Sequence, residues 1–130
     1  MKILLVDDEA SLTRMMKRNL EATGRFEVLD VNDPNIVLEV AHQFRPDLVI
    51  LDIMMPGLDG KDVAAYFSVD LQLAHIPIIF LSAILSQTEI EPTGSRKGSY
   101  TFLAKPVKFD DLLTCINNLL GIVETVDHFA

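Results

Sequence analysis

Two short apolar runs in this chain end abruptly on carboxylates. Residues 3–6 (ILLV) run directly into Asp7 and Asp8, and residues 48–51 (LVIL) run directly into Asp52. Because an unpaired carboxylate is very costly to bury inside a strand, acids that follow an apolar strand belong at the edge of a sheet. The pattern therefore predicts two buried strands whose carboxyl ends form a charged pocket.

Strand-type runs alternate with helix-type segments along the whole chain. The strand-type runs lie at residues 3–6, 26–31, 48–51, 78–81 and 100–104. Apolar residues at helical spacing lie between them and after the last one. This alternation is typical of parallel β-α-β units, and runs that are apolar throughout favour a sheet covered on both faces. We therefore expect an α/β fold, a single doubly wound domain with a five-stranded parallel sheet, spanning residues 1–130.

The third and later helices allow more specific predictions. Val63 and Phe67 face inward on a helix expected to end near Leu73. Residues 86–99 open with a capping-box pattern but contain one proline and two glycines, so they predict a short or irregular fourth helix. The last helix has a clear apolar stripe, and residues 121–130 either complete it or begin a linker.

The composition narrows the classes of function. The 130 residues are 49% hydrophobic, which predicts a packed core, and the net charge is −8. So acidic a chain is a poor match for the phosphates of nucleic acid or for an anionic membrane surface, and we expect no direct contact with either. No apolar stretch reaches the length of a secretory signal core or of a transmembrane helix. We therefore expect a cytoplasmic protein.

The cysteine and the histidines indicate no site of their own. Cys115 is the only cysteine, so no internal disulfide can form, and it has no histidine partner nearby in the sequence. We therefore expect an inert thiol. His42, His75 and His128 are scattered singly and do not have the spacing of metal ligands.

Polar side chains follow four of the predicted strands. Asp7 and Asp8 follow the first, Asp52 the third, Ser82 the fourth and Lys105 the fifth. In a doubly wound sheet the ligand site lies at the carboxyl ends of the strands, so these side chains are expected at one edge. Clustered carboxylates repel one another unless a cation lies among them, and all-oxygen ligation suits Mg²⁺. A hydroxyl and an ammonium are suited to a phosphoryl group beside that metal.

Four segments of the chain carry a family resemblance. They are VDDE at residues 6–9, DLVILDIMMPGLDG at 47–60, SA at 82–83 and FLAKP at 102–106. In order and spacing these segments resemble the receiver domain of two-component response regulators, and the resemblance covers essentially the whole chain. It implies a CheY-like domain with the flavodoxin-like strand order 2-1-3-4-5.

The resemblance also implies roles for individual residues. Asp52 is the expected phosphoacceptor, which attacks a phosphohistidine donor to form an acyl phosphate. Asp7 and Asp8 are expected to hold Mg²⁺ together with Asp52 and the backbone carbonyl of Met54. Lys105 is expected to contact the phosphoryl oxygens. In this interpretation the protein is a signalling phosphoacceptor that catalyses only its own phosphorylation and slow dephosphorylation.

Two further residues match the switch elements of such domains. Ser82 corresponds to the hydroxyl that moves to bond the phosphate, and Phe102 to the aromatic side chain that turns inward afterwards. The peptide bond between Lys105 and Pro106 is cis in similar proteins. The resemblance implies that a histidine kinase or phosphotransfer protein is the donor, and that a homodimer or a downstream output protein or domain receives the signal.

The lifetime of the phosphorylated state is a separate expectation. Receiver domains tune it partly through the residues two places after the acceptor and two places after the switch hydroxyl. Here those residues are Met54 and Ile84, both apolar and unable to orient an attacking water. We hypothesise that the phosphorylated form loses phosphate slowly.

Two other functions compete with this interpretation. A pseudo-receiver would be a folded interaction module without phosphorylation, and the complete set of acids, hydroxyl and lysine argues against it. A Mg²⁺-dependent phosphohydrolase of the haloacid dehalogenase type would also use a nucleophilic aspartate. That family has an Asp-x-Asp motif directly after its first strand, whereas Asp7 is followed here by Asp8 and then Glu9.

Overall fold

The computed structural model describes residues 1–83, the backbone of residues 95–97, and residues 100–122. Its strands are β1 (Lys2–Val6), β2 (Glu27–Val31), β3 (Leu48–Asp52), β4 (Ile78–Ser82), β5 (Ser95–Lys97) and β6 (Tyr100–Ala104). The helices in these residues are α1 (Ala10–Glu21), α2 (Val37–Phe44), α3 (Gly60–Val69) and α4 (Phe109–Leu120). A short 3₁₀ turn, Pro34–Ile36, leads into α2.

The strands form one sheet in the order β2-β1-β3-β4-β6-β5. Strands β2, β1, β3, β4 and β6 are parallel to their neighbours, and the short strand β5 pairs with β6 in the antiparallel direction. Counted along the parallel strands alone, the order is 2-1-3-4-5. The predicted α/β fold with a flavodoxin-like parallel sheet is therefore confirmed, and β5 adds an edge strand that the sequence did not predict.

Apolar side chains from both faces of the sheet form two packed layers. In β1, Leu4 and Val6 belong to the cluster on the side of α2 and α3, whereas Ile3 and Leu5 belong to the cluster on the side of α1 and α4. Both faces of the central strands are thus buried. This double burial explains why β1, β3 and β4 are apolar throughout instead of alternating between apolar and polar residues.

Helix α3 ends at Val69, so the prediction that it reaches about Leu73 is wrong. Asp70 has an extended backbone, and its side chain accepts a hydrogen bond of 2.9 Å from the backbone N–H of Gln72. This local bond offers the backbone an alternative to the helix, as aspartate commonly does. Leu73 is nevertheless fully buried, because the turns that follow return it to the core.

The predictions for the fourth helix and the chain end fall largely outside the described residues. Within residues 86–99 only the backbone of residues 95–97 is described, and it forms a strand, not a helix. The last helix ends at Leu120, where Gly121 adopts a left-handed conformation with φ of 67°. Residues 123–130 lie outside the described part. Among the described helices, none is long and apolar enough to span a bilayer.

Candidate functional site

The carboxyl ends of four parallel strands meet at one edge of the sheet and present polar side chains there. Asp7 follows β1, Asp52 is the last residue of β3, and Ser82 is the last residue of β4; all three are buried. Lys105 follows β6, and its backbone N–H donates a 2.8 Å hydrogen bond to the carbonyl of Ser82. The structure therefore places these predicted site residues together at the edge where an α/β sheet carries its ligands.

Lys105 lies between two of the acids. Its ammonium donates a 2.9 Å hydrogen bond to Oδ2 of Asp7 and lies 3.3 Å from Oδ1 of Asp52. A third carboxylate oxygen, from the exposed Glu9, lies 4.0 Å away. Burial alone would lower the pKa of Lys105, but the hydrogen bond and charge of Asp7, followed by those of Asp52, outweigh it and raise that pKa. Lys105 is therefore held as a cation at neutral pH.

Three carboxylates cluster at this edge of the sheet. One oxygen each from Asp7, Asp8 and Asp52 lies within 4.8 Å of the others; Asp7 and Asp52 are buried and Asp8 is exposed. With all three carboxylates ionised, they and the ammonium of Lys105 would carry an excess of two negative charges. A small divalent cation held by oxygen ligands matches both the charge and the donor atoms of this cluster. Within the described residues, this trio is the group of side chains whose geometry fits a metal.

The carboxyl group of Asp52 is disfavoured as an anion in this setting. Burial and then the negative charge of Asp7 raise the pKa of Asp52 above its ordinary value. The charge and hydrogen bond of Lys105 act in the opposite direction, as does a hydrogen bond from the backbone of Met54, but they compensate only in part. A bound cation beside Asp52 would stabilise its ionised, nucleophilic form.

Asn32 takes part in this edge although sequence reasoning did not identify it. Its side-chain amide donates a 2.8 Å hydrogen bond to the backbone carbonyl of Asp7 and a 3.0 Å bond to the hydroxyl of Thr13. Asn32 directly follows β2, just as the predicted site residues follow the other parallel strands. Its position after a strand was therefore the signal that would have found it.

Gly60 was also missed as a site residue. It is the first residue of α3, and its backbone N–H donates a 2.8 Å hydrogen bond to the carbonyl of Ile53. A Cβ at this position would lie 3.0 Å from the Asp52 carbonyl carbon and closer still to its oxygen. Only glycine permits α3 to begin so close to the backbone of Asp52. The turn residues around it indicated a loop but not this through-space approach.

Of the residues predicted to act in switching and decay, the structure describes Ser82, Phe102 and Met54. Phe102 is half-buried and stacks on its cross-strand neighbour Phe80, with ring centres 5.2 Å apart. The Lys105–Pro106 peptide bond is cis, as expected. Met54 is 63% exposed. Ile84 lies outside the described residues.

The cysteine and one histidine lie away from this edge. Cys115 is buried in α4, and burial raises the pKa of its thiol to about 11. His42 contacts Asp70 at 2.7 Å and Gln72 at 3.0 Å, which links α2 to the turn after α3. His75 joins no metal-like cluster in the described residues, and His128 lies outside them.

Comparison of the sequence with known families and proteins identifies related chains. The sequence model of the response regulator receiver domain matches residues 3–117. The chain is 35% identical over 120 residues to the probable transcriptional regulator ycf29 of Pyropia yezoensis, covering 92% of this chain and 53% of that protein. It is 32% identical over 129 residues to the DNA-binding dual master transcriptional regulator RpaA of Synechocystis, covering 99% of this chain and 53% of that protein. The chain thus spans about half the length of these relatives.

Solved structures with the same fold cover nearly the whole chain. The chemotaxis protein CheY4 of Vibrio cholerae superposes with a TM-score of 0.77 at 26% identity, covering 92% of this chain and 98% of that one. A response regulator receiver domain from Clostridium thermocellum superposes with a TM-score of 0.74 at 31% identity, covering 92% of this chain and 94% of that one.

Proposed function

The chain belongs to the family of response regulator receiver domains of two-component systems, and from that premise we propose that Asp52 accepts a phosphoryl group from a phosphohistidine in a Mg²⁺-dependent transfer. The observation that carries the proposal is the position of Lys105, whose ammonium lies 3.3 Å from Asp52 and 2.9 Å from Asp7. A cation held between a buried nucleophile and a buried metal ligand is placed to contact the oxygens of an incoming phosphoryl group.

The transfer itself requires little covalent chemistry from the protein. An oxygen of the Asp52 carboxylate attacks phosphorus in line, the new O–P bond forms as the P–N bond of the phosphohistidine breaks, and the departing imidazole takes up a proton. Catalysis of such a step is mostly alignment and neutralisation of charge. Asp52 is held for it by the backbone hydrogen bond from Met54 and by the close approach of Gly60.

Receiver domains bind Mg²⁺ at an acidic pocket, and the cluster of Asp7, Asp8 and Asp52 has the charge and donor atoms for it. We assign these three side chains and the backbone carbonyl of Met54 as its ligands. The bound ion supplies neutralisation of the phosphoryl oxygens. Lys105 contributes a second positive charge at the same place, so that the excess negative charge of the acids and phosphate is balanced from two directions.

Ser82 and Phe102 are proposed as the elements that carry the signal away from Asp52. Ser82 is buried at the end of β4, beside β3, and its carbonyl is bonded to the backbone of Lys105. A move of the Ser82 hydroxyl towards new phosphate oxygens would act directly on the turn after β6. Phe102 lies on β6 and is only half-buried, which leaves room for its side chain to change position.

The partners follow from the family and from charge. The family is a signalling family rather than one of turnover enzymes, so the proposed donor is a histidine kinase or a phosphotransfer protein. Relatives of about twice this length are named as DNA-binding regulators. We propose that the signal passes to an output protein or domain, or to a second copy, and that this acidic domain itself does not contact nucleic acid.

Intact-mass spectrometry tests this function directly. The protein is incubated with MgCl₂ and acetyl phosphate, and the natural chain is compared with Asp52→Asn and with Asp59→Asn. Asp59 lies in the loop that follows Asp52 and caps the N-terminus of α3, a position where asparagine serves equally well. We expect one phosphoryl adduct on the natural chain and on Asp59→Asn, and none on Asp52→Asn or in EDTA.

Other outcomes would overturn the proposal in distinguishable ways. No adduct with acetyl phosphate or with phosphohistidine donors would identify a pseudo-receiver. An adduct retained by Asp52→Asn would move the chemistry to another residue. Continuous release of inorganic phosphate from a small phosphoester, lost in Asp52→Asn, would identify a hydrolase instead.

A further inference from the structure

We infer that Asn32, acting together with Thr13, is a positioning residue for the metal ligands Asp7 and Asp8. The inference rests on the proposed function, because it concerns the same Mg²⁺ site. It goes beyond that function by assigning a role to the side chain that directly follows β2, the one parallel strand whose end supplies no group to the proposed reaction. Asn32 touches neither the metal nor the phosphoryl group in this assignment and acts through the backbone between the two acids.

The contacts of Asn32 use both hydrogens of its amide. One is donated to the carbonyl oxygen of Asp7 at 2.8 Å and the other to the hydroxyl oxygen of Thr13 at 3.0 Å. The hydroxyl of Thr13 in turn donates to the carbonyl of Ala10 at 3.1 Å. The hydrogen bonds therefore run in one direction, from the end of β2 into the first turn of α1. A side chain with a single donor would satisfy only one of the two acceptors.

The carbonyl of Asp7 is the oxygen of the peptide that joins Asp7 to Asp8. Because a peptide unit is planar, fixing the direction of this oxygen also fixes the direction from which the Cα of Asp8 leaves the plane. The backbone N–H of Asp7 is held as well, by a 3.2 Å bond to the carbonyl of Val31. Val31 at the end of β2 and Asn32 directly after it therefore hold the backbone of Asp7 from both sides.

The two acids depend on this backbone to different degrees. The side chain of Asp7 is independently held, since its oxygens accept from the backbone of Glu9 at 3.0 Å and from Lys105 at 2.9 Å. Asp8 is exposed, so packing around its side chain restrains it less. The orientation of Asp8 towards the metal therefore relies on the peptide plane that Asn32 holds. We expect loss of Asn32 to affect Asp8 most.

Thr13 makes this arrangement rigid. Its side chain is fully buried in α1, and it receives the second hydrogen of the Asn32 amide. Asn32 is itself an exposed residue, and a long-range bond to a buried hydroxyl gives it a fixed rotamer. Residues of this kind, which orient the ligands of a metal without touching it, typically change metal affinity by 10–100-fold when removed.

The test measures Mg²⁺ affinity by following backbone and side-chain amides in NMR titrations of the full chain with MgCl₂. The variants are Asn32→Ala, Thr13→Val, Thr13→Ser and, as a matched control, Asn35→Ala. Asn35 lies three residues further along the chain, in the 3₁₀ turn before α2, and its side chain bonds only Asp33 among the contacts the structure describes. Unfolding in urea with EDTA is measured for each variant, so that loss of fold is separated from loss of affinity.

We expect Asn32→Ala to weaken Mg²⁺ binding about tenfold and Thr13→Val to weaken it less, because the bond from Asn32 to Asp7 remains. Thr13→Ser restores the hydroxyl and Asn35→Ala leaves the site intact, so both should bind Mg²⁺ like the natural chain. The amide of Asp8 should shift more between the free spectra of Asn32→Ala and the natural chain than the amide of Asp52. The rate of phosphorylation by acetyl phosphate is measured as a function of Mg²⁺ concentration. For Asn32→Ala, the Mg²⁺ concentration that gives the half-maximal rate should rise, and this rise should be a larger factor than the fall in the maximal rate.

The opposite results separate the two claims. If the natural chain binds no Mg²⁺, the proposed function fails and this assignment fails with it. If the natural chain binds Mg²⁺ and Asn32→Ala binds it equally well, only the assignment of Asn32 fails. A fall in the stability of Asn32→Ala in EDTA with unchanged affinity would likewise overturn it, because the bond would then serve the fold alone.

Discussion

The ammonium of Lys105 donates a 2.9 Å hydrogen bond to Asp7, a residue 98 positions earlier in the chain. The bond joins the turn after β6 to the end of β1 across the edge of the sheet. The same ammonium lies 3.3 Å from Oδ1 of Asp52, at the end of the intervening strand β3. Lys105 is only 16% exposed at its side chain, so this ion pair is screened weakly by water. In the absence of a metal it is the main compensation for the two buried acids.

Replacing Lys105 with methionine removes this compensation but keeps most of the apolar stem. We expect Lys105→Met to lower the free energy of unfolding in EDTA by about 2 kcal/mol, less than for a fully buried pair because the site is partly open. Saturating MgCl₂ should restore much of the loss, and Mg²⁺ should bind severalfold more tightly because a competing positive charge is gone. Urea unfolding with and without Mg²⁺ measures both effects.

The exposed Lys61, at the start of α3, provides the matched control for this variant. Lys61→Met should change neither the stability in EDTA nor the response to Mg²⁺ by more than about 0.5 kcal/mol. If Lys105→Met proved as stable in EDTA as Lys61→Met, Lys105 would not be the compensating charge that the distances indicate.

Asp52→Asn should make the metal-free protein more stable at neutral pH. Burial and the charge of Asp7 raise the pKa of Asp52 above its ordinary value of 3.8. A raised carboxyl pKa means that the folded state binds a proton more tightly than the unfolded state does. The stability from this group is therefore fully present below the ordinary pKa and is lost as the pH rises through the raised folded value.

The pH dependence distinguishes this electrostatic effect from a change in packing. The midpoint of urea unfolding in EDTA should be higher for Asp52→Asn than for the natural chain at pH 7, and the difference should shrink as the pH falls towards 3.8. Saturating Mg²⁺ should reduce the advantage of the variant, because the ion stabilises the natural site. A difference that stays constant across the pH range would show that ionisation of Asp52 is not its cause.

Gly60→Ala should disturb the backbone of Asp52, the proposed acceptor, from the start of α3. The added Cβ would overlap the carbonyl oxygen of Asp52, and neither backbone can move without shifting α3 or β3. We expect a loss of about 2 kcal/mol in the free energy of unfolding. The rate of phosphorylation by acetyl phosphate should fall by up to about 100-fold, because small misplacements of a nucleophile are costly.

Gly57, in the loop between β3 and α3, provides the comparison for Gly60→Ala. It has φ of 87° and nothing within 4 Å of an added Cβ, so Gly57→Ala strains the backbone by about 1 kcal/mol without contacting Asp52. Its phosphorylation rate should stay within a factor of about two of the natural chain. Equal rate losses in the two variants would mean that loop strain, and not the approach to Asp52, controls the reaction.

The sequence predicted the sheet and the position of the acids because both follow from strong, simple physics. Strands buried on both faces must be apolar throughout. Because an unpaired carboxylate is very costly to bury, acidic residues are expected at the ends of such strands and not within them. Parallel connections then bring Asp7, Asp52 and Lys105 to one edge. These features need only the order of residues along the chain, so they were predictable without coordinates.

Other features depend on contacts that the order of residues does not specify. The early end of α3 results from one local bond between Asp70 and the backbone of Gln72, which competes with the last helical turn. The role of Gly60 depends on how near α3 comes to β3. The role of Asn32 depends on a hydrogen bond to the carbonyl of Asp7, 25 residues earlier in the chain, which its place after a strand suggests but does not specify.

Cys115 should be almost inert in the folded protein. Burial raises the pKa of its thiol to about 11, so only about one molecule in a thousand carries a thiolate at pH 8. Alkylation by iodoacetamide should be at least about 100-fold slower than in urea and should keep rising with pH up to about 10. Because the chain has a single cysteine, the mass shift on alkylation reports this site alone. A native rate that levels off near pH 8.5 would show that the thiol is not buried as described.

Met54→Asn should shorten the life of the phosphorylated state. Met54 is 63% exposed and lines an open cavity of about 470 Å³ together with Asp8 and with Ile53, the residue that follows Asp52. Water would reach the proposed acyl phosphate from this side, and a thioether offers that water no strong hydrogen bond, whereas an amide would hold it for attack on phosphorus. We expect the decay rate to rise about tenfold in Met54→Asn and to remain slow in Met54→Leu, which keeps the apolar surface.

The measurement is the fraction of phosphorylated protein by intact mass at intervals after removal of acetyl phosphate. Rapid decay of the natural chain that is unchanged in Met54→Asn would show that Met54 does not protect the phosphate from water.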